Sequence, residues 1–465
     1  MPFTCQSLAV VTAELDQPAD YLNRPALTLT QWGRVFVFLI LLKFLLERCS
    51  MLLFTRSEAR QVLAVLRKSG LVNFSRRIQP PITMVQAGSQ LRILCATKDC
   101  WVVWEREPGS HETRSSTPSE PITRVTVSIE LLRECQGPDA EVVTLEVDQD
   151  IVKASWSVSG FAVEREFQVF DAPDEQLFPH PREYFSCPPE FLGALRQVMT
   201  VRDSASTRYA LNCVQLSGSR QQLAGTDSRK LLIHRGIQLP WPEDLLVQGT
   251  DLLEAPELQR VKTVRMGRTE TDLVLQLGHW TVGLKLNTES RYPPVDRVVP
   301  SLSEETTRLE LHPLDATRLE ELLHRMLETC SSRSPTMHQP LTVDLTGDVP
   351  IVRCRTNHSP RATEIRLSRS SRHGQPGKVC LETRFLVSAL EMGFQQLAFH
   401  KSDSPVRLDQ HQRVYILMPL DPDSLIPPGD DHVITTGPEP ADVDRAPVFD
   451  QAQGLPIRRA ELAIA

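Results

Sequence analysis

The side chains able to do chemistry are scattered through this sequence rather than grouped. Its twelve histidines lie far apart. It lacks a G-x-x-x-x-G-K-[ST] phosphate loop, a G-x-G-x-x-G turn, a G-x-S-x-G nucleophile turn and an H-E-x-x-H metal site. Ten cysteines occur without a C-x-x-C pair. Cys95 and Cys100 could ligate a metal, but no second pair completes a site, so they read as small core residues. Thr226-Asp227 is the most acid-like turn; without a partner base at a readable spacing, Asp227 is expected to bind backbone N–H groups. The densest functional group is cationic: Arg56, Arg60, Arg67, Lys68, Arg76 and Arg77 lie against the single acid Glu58. This pattern favours a binding or scaffold protein over an enzyme, and neither cofactor nor metal is expected.

Three amphipathic helices must position these residues. The first starts near Ser57, with Ala59, Val62, Leu63 and Leu66 on one stripe. The second follows Pro188-Pro189 and carries Phe191, Leu192, Leu195, Val198 and Met199. The third runs from Asp315, read as its N-cap, with Leu319, Leu322, Leu323 and Met326. Strand-like segments follow each one. After the first come Ile82–Gln86, Gln90–Asp99 and Trp101–Trp104. After the second come Tyr209–Leu216, Gln222–Asp227 and Lys230–Ile233. After the third come Leu341–Leu345 and Pro350–Arg355. "CATKDCWVV" and "AGTDSRKLLI" form an internal repeat at a spacing of about 130 residues, far beyond solenoid periods of 20–50. Second apolar helices are expected at Val127–Arg133 and Phe385–Leu390, with a weaker one around Asp244 to Leu258, interrupted by Gly249 and Pro256. The expected class is α+β, helices packed on antiparallel sheets, in three repeated domains over 51–179, 180–302 and 303–420.

The 465 residues leave ample length for cores of this kind, and the net charge is −7. Residues 421–465 carry nine acidic and three basic side chains with seven prolines, and are expected to be a disordered acidic tail. The 51–420 body is therefore nearly neutral. Val35–Leu46 is a twelve-residue apolar run broken by Lys43. It is shorter than the roughly 20 residues a spanning helix needs. Residues 1–50 read as an N-terminal extension, with a membrane-surface anchor as the sharper alternative and no stable membrane partner expected. Scattered cysteines in a chain this long fit a reducing cytoplasm.

Three stretches carry a family likeness: "RYALNCVQLSGSRQQLAGTDSRKLLIH" from Arg208 to His234, "RYPPVDRVVP" from Arg291 to Pro300, and "SPVRLDQHQRVYILMPL" from Ser404 to Leu420. Together, in this order and on a three-fold repeat, they resemble the bacterial DNA polymerase III beta subunit, the sliding clamp. The resemblance implies a non-catalytic, homodimeric head-to-tail ring that encircles double-stranded DNA without reading sequence. Such a ring tethers the polymerase III catalytic subunit and is served by a clamp loader. The runner-up is a diverged clamp-fold paralogue that acts as a protein-binding scaffold without a replicative role.

The resemblance implies two sites. The channel lining would hold Arg60, Arg67, Lys68, Arg76, Arg77, Arg196 and Arg202 against phosphates. The third helix would oppose them, because Thr317, Glu320, Glu321, His324 and Glu328 lie opposite its stripe while Arg318 and Arg325 fall nearer the apolar side. If that face lines the channel, part of the wall is acidic; otherwise the helix has a different phase. The second site is an apolar groove for partner peptides, lined by Leu211, Thr226, Ser228, Arg229, Lys230, Leu231, Pro293, Arg297, Val298, Pro405, Ile416, Leu417, Met418, Pro419 and Leu420. Chains of this family usually end two residues after the position of Leu420. Here the tail leaves from the groove edge and could cover it, and Gln451-Ala-Gln-Gly-Leu455 resembles a groove-binding peptide.

Overall fold

The computed structural model describes residues 50–68, 79–106, 122–172, 178–206, 210–330, 338–355, 362–429 and 432–436. The Val35–Leu46 run, Arg76, Arg77 and the Gln451–Leu455 segment lie outside these residues.

The first third of the chain contains β1 (Ser50–Thr55), α1 (Arg56–Lys68), β2 (Pro81–Ala87), β3 (Gln90–Ala96), β4 (Cys100–Glu105), β5 (Ile122–Ser128), α2 (Glu130–Cys135), β6 (Val142–Asp148), β7 (Ile151–Val158) and β8 (Phe161–Gln168). The middle contains β9 (Phe185–Ser186), α3 (Phe191–Val201), β10 (Cys213–Ser217), β11 (Gln222–Thr226), β12 (Lys230–Arg235), β13 (Asp244–Gln248), α4 (Pro256–Gln259), β14 (Val264–Arg268), β15 (Asp272–Leu277) and β16 (Trp280–Lys285). The last part contains β17 (Thr307–Glu310), α5 (Pro313–Cys330), β18 (Pro340–Asp344), β19 (Ile351–Arg355), β20 (Ala362–Arg366), β21 (Ser371–His373), β22 (Lys378–Glu382), α6 (Thr383–Glu391), β23 (Gln396–Phe399), β24 (Val406–Gln410), β25 (Arg413–Leu417) and β26 (His432–Thr435). The architecture is mixed helix and antiparallel sheet, as the alternation of apolar residues leads one to expect.

The chain divides into two compact units. The first joins the residues up to Leu63 with Gln79–Ile93 and Glu105–Pro173; the second joins Ala64–Ile78, Leu94–Trp104 and the chain from Asp174 onward. In the first unit β1-β6-β7-β8 form an antiparallel sheet. β2 pairs with β5, and the Thr83 and Thr126 hydroxyls meet at 2.9 Å. Arg56 is buried: its Nη1 binds Asp139 at 2.6 Å, and Nε and Nη2 donate to the Cys135 and Gln136 carbonyls. Its charge therefore holds the start of α1 against the α2 loop and leaves the basic cluster.

In the second unit a nine-stranded sheet runs β13-β10-β11-β12-β25-β24-β23-β17-β21. A five-stranded sheet runs β22-β18-β19-β20-β26, and β4 lies beside β16 in the order β4-β16-β15-β14-β9. Gly283 pairs with Trp101 across β16–β4. A Cβ there would run into the indole, so only glycine admits the ring. The indole Nε1 donates to the fully buried Asp272 at 3.0 Å, and Lys285 Nζ lies 3.1 Å from the same carboxylate. Cys95 and Cys100 are core residues, 2% and 3% exposed, and burial pushes the Cys95 thiol up to about 12.

Four expectations are corrected. The segment from Asp244 to Leu258 is a strand, a 3-10 turn at Leu252–Glu254 and the single turn α4, because Gly249 and Pro256 break it. Asp315 is not the N-cap of the third helix: α5 starts at Pro313, and Asp315 is fully buried within its first turn. The phase of α5 also differs, since Arg318 and Arg325 are exposed together with Glu321 and Glu328, whereas Glu320 and His324 are half-buried. Its outer face is charge-balanced rather than acidic, and Arg318 pairs with Glu321 at 3.1 Å. Last, the chain after Leu420 is not disordered at its start: Pro422–Ser424 form a 3-10 turn, Ile426 is 3% exposed, and β26 joins a sheet.

Candidate partner-binding groove at the β12–β25 joint

The groove residues expected from sequence come from three separated stretches, and sheet pairing gathers most of them. β12 and β25 are antiparallel neighbours, with Lys230 opposite Leu417 and Leu231 opposite Ile416. Leu231 and Ile416 are 4% and 3% exposed and pack in one cluster with Ala224, Ile233, Val295 and Val414. Tyr292 and Val299 close on that cluster, and the Tyr292 hydroxyl donates to the Ala224 carbonyl at 3.1 Å. That contact carries Pro293, Arg297 and Val298 to the joint. Leu417 also pairs with Val406, next to Pro405. The Met418 N–H donates to the Arg229 carbonyl at 2.7 Å, so the chain leaving β25 turns over the β11–β12 hairpin. Pro419 and Leu420 follow half-buried, and the Leu420 N–H reaches the Cys380 carbonyl.

The β11–β12 hairpin is built as its residue types dictate. Thr226 Oγ1 donates to the Lys230 carbonyl at 2.7 Å and accepts the Ser228 N–H at 3.1 Å. Asp227 Oδ1 accepts the Arg229 and Lys230 N–H groups, both at 2.8 Å. This is the backbone-binding role expected of Asp227. Ser228 sits at φ +76°, a left-handed conformation that costs a residue with a Cβ about 1–2 kcal/mol. The hairpin thus holds Ser228 and Arg229 outward.

An apolar floor and exposed apolar tips sit together here. Val298 is 53% exposed and Met418 41% exposed, while Leu417, which faces the other side of the sheet from Ile416, is fully buried. Cationic groups form the rim: Arg229 and Arg297 are exposed, and Lys230 lies over the Phe385 ring at 5.4 Å. Burial lowers the Lys230 ammonium below its ordinary value, against the pull of Asp227. Arg202, Asp203, Ser204, Asp227, Ser228, Arg229 and Phe385 line an open polar depression on the same hairpin. Leu211 stands at its border, with its carbonyl bound by the Asp203 N–H at 3.0 Å. Phe385, Tyr292 and Val295 are absent from the expected lining. Tyr292 and Val295 lie inside the "RYPPVDRVVP" stretch; Phe385 shows only as an aromatic at the start of an amphipathic helix.

The expected DNA-facing cations fare unevenly. Arg60 and Arg67, seven residues apart on α1, are both exposed, and Arg196 on α3 is half-buried. Lys68 ends α1 without a described side chain. Arg202 is engaged within the fold: its side chain is 8% exposed, Nη2 binds Asp251 at 2.6 Å, and Nη1 donates to the Met199 carbonyl at the end of α3. Beside it on α3, Gln197 Oε1 accepts from His234 Nε2 at 2.8 Å and from Arg413 Nη1 at 3.4 Å, which links the helix to both strands of the joint.

Among the described residues there is no cluster of His, Cys, Asp or Glu fit to hold a metal ion, and no helix is long and apolar enough to cross a membrane.

No protein-family model and no curated protein matches the sequence. Solved structures do match. The sliding clamp (DNA polymerase III subunit beta) of Pseudomonas aeruginosa, bound to griselimycin, is 16% identical with a TM-score of 0.61, covering 80% of this chain and 99% of its own. The DNA polymerase III beta subunit of Thermotoga maritima is 15% identical, with a TM-score of 0.60 and coverages of 80% and 99%. The Helicobacter pylori beta clamp, bound to a DNA ligase peptide, is 16% identical, with a TM-score of 0.59 and coverages of 80% and 99%. These clamps are covered over nearly their whole length at TM-scores of 0.59–0.61, and on that likeness this chain has the fold of the bacterial DNA polymerase III beta sliding clamp.

Proposed function

We propose that this protein is a sliding clamp: three copies of one two-sheet domain, two chains to a head-to-tail ring, duplex DNA through the ring, and partner peptides in the groove at the β12–β25 joint. It performs no reaction. It raises the local concentration of a polymerase at the primer end, as a tether does. The carrying observation is the joint itself, where Leu231 meets Ile416 over Val295 and leaves Val298 and Met418 exposed above them. An apolar floor with an adaptable methionine and a cationic rim suits a short acidic peptide with large apolar ends. The H. pylori clamp in the comparison holds a ligase peptide.

Titration of a labelled peptide of that chemistry tests the groove. Saturable binding that is lost on joint replacement of Val298 and Met418 by aspartate supports the reading; equal binding by the variant removes it.

A second reading, a clamp-fold scaffold without a replicative role, is favoured by one observation. Arg56 and Arg202 are neutralised inside the fold, and α5 presents a balanced face. Fewer phosphate-binding cations remain than the sequence promises. Retention on DNA separates the two readings.

A further inference from the structure

Two sheet joints in the second unit obey one rule. β25 is the last strand of the order β17-β23-β24-β25, and it pairs antiparallel with β12, the end of β13-β10-β11-β12. β16 is likewise the last strand of β9-β14-β15-β16, and it pairs antiparallel with β4. β20 ends the order β22-β18-β19-β20 and so stands where β12 stands in its own set. By the same rule its partner ends a set ordered like β9-β14-β15-β16. The remaining strand of that kind is β8, last of β1-β6-β7-β8; no ladder lies beside Phe161–Gln168 on its outer edge among the described residues, and only Val169, just past its end, bridges Val127 of β5. A head-to-tail contact between chains would therefore set β20 of one copy against β8 of another, and such heterologous contacts close rings.

That edge of β20 is already taken. β26 pairs with it in parallel, Thr363 to His432, Glu364 to Val433, Ile365 to Ile434 and Arg366 to Thr435. The segment is pinned at both ends. Upstream, Ile426 is buried and its N–H binds Thr342 Oγ1 at 2.8 Å. Downstream, Thr436 Oγ1 donates to the buried Asp315 at 2.8 Å, the Thr436 N–H reaches the Arg366 carbonyl, and Arg369 donates to the Thr436 carbonyl at 2.8 Å.

We infer that β26 is an intramolecular cap on the ring-closing edge of β20, which holds the full chain as a single copy until the segment is displaced and β8 of a second copy takes its place. This rests on the ring reading above. A tethered strand competes at an effective concentration on the order of millimolar, well above a micromolar second copy. The cap is short and parallel, and parallel pairing is slightly weaker per residue than antiparallel, so a longer antiparallel partner can displace it once copies are brought together.

Sedimentation equilibrium on three chains tests this: the full chain, a chain ending at Gly429 that keeps Ile426, and the full chain carrying Ile434→Pro, which removes a ladder donor. The expected result is a one-chain mass of 52.4 kDa for the full chain and a twofold mass for both variants. The variants reach the edge by different lesions, so misfolding of one leaves the other decisive. A full chain already at twofold mass, with β26 amides protected from exchange, overturns the cap and leaves the ring reading standing. One-chain mass for all three overturns the cap and the ring together.

Discussion

Leu231 lies directly opposite Ile416 across the β12–β25 pair, and both are buried against Val295. This contact joins residues 185 positions apart in sequence, and it makes floor and structure the same thing. Leu231→Ala should therefore cost about 2–5 kcal/mol of stability. Val298→Ala and Met418→Ala, which change exposed side chains, should stay within about 0.5 kcal/mol of the parent while weakening peptide binding. Denaturant melts beside peptide titrations check both halves.

Arg353 is 4% exposed between two buried carboxylates, Asp344 at 2.6 Å and Glu364 at 3.0 Å. Burial works against ionisation of Asp344, but Arg353 and Thr346 outweigh it and hold its carboxyl below the usual range. Arg353→Met removes the guanidinium that both buried carboxylates bind, leaving Asp344 only Lys378 at 3.8 Å, and should cost about 3–5 kcal/mol at neutral pH. The cost should shrink as pH falls and Asp344 takes up a proton. Thermal melts of parent and variant across that range show whether the difference narrows.

His234 is buried at the joint, and burial, with the nearby Arg413 charge, lowers its imidazole from 6.5 to about 4. Between these values the unfolded chain binds a proton that the folded chain does not. Stability is thus full above 6.5, falls on acidification by at most about 1.4 kcal/mol per pH unit, and levels off below 4. His234→Gln should remove this limb of the stability–pH curve. An unchanged slope between pH 6.5 and 4 would show that the histidine is not the titrating group.

Arg60 and Arg67 are exposed on α1, whereas Arg202 is bound by Asp251. If the first two meet phosphates, replacing either by alanine should lower the salt dependence of DNA binding by about one ion per site. Arg202→Ala should leave that slope unchanged and lower stability instead. Binding isotherms at several salt concentrations distinguish the three.

Much of the joint is legible in the sequence because its chemistry is local. Thr226 and Asp227 announce a turn by side-chain type, and the alternation in Lys230–Ile233 announces a strand. The register that sets Leu231 against Ile416 follows from long-range pairing, which no local pattern encodes. Charge placement is less legible. Arg202 and Asp251 are 49 residues apart, so their pairing is invisible to spacing rules. The placement of Arg318 and Arg325 on α5 depends on which face packs inward: Ala316, Leu319 and Leu323 are buried whereas Leu322 and Met326 are only half-buried, so the inner stripe is rotated from the one the apolar pattern suggests. β26 escapes a reading of the sequence because a four-residue strand amid prolines carries no periodicity; it is fixed by its anchors at Ile426 and Thr436.

The most direct measurement is retention of the protein on a nicked circular plasmid before and after the circle is cut, made with the chain ending at Gly429 and with the full chain. A clamp is held by topology, so the account predicts that the uncapped chain stays on the circle at a salt concentration that abolishes simple phosphate binding, and slides off once the DNA is linear. Equal retention on circular and linear DNA, or none on either, would contradict it.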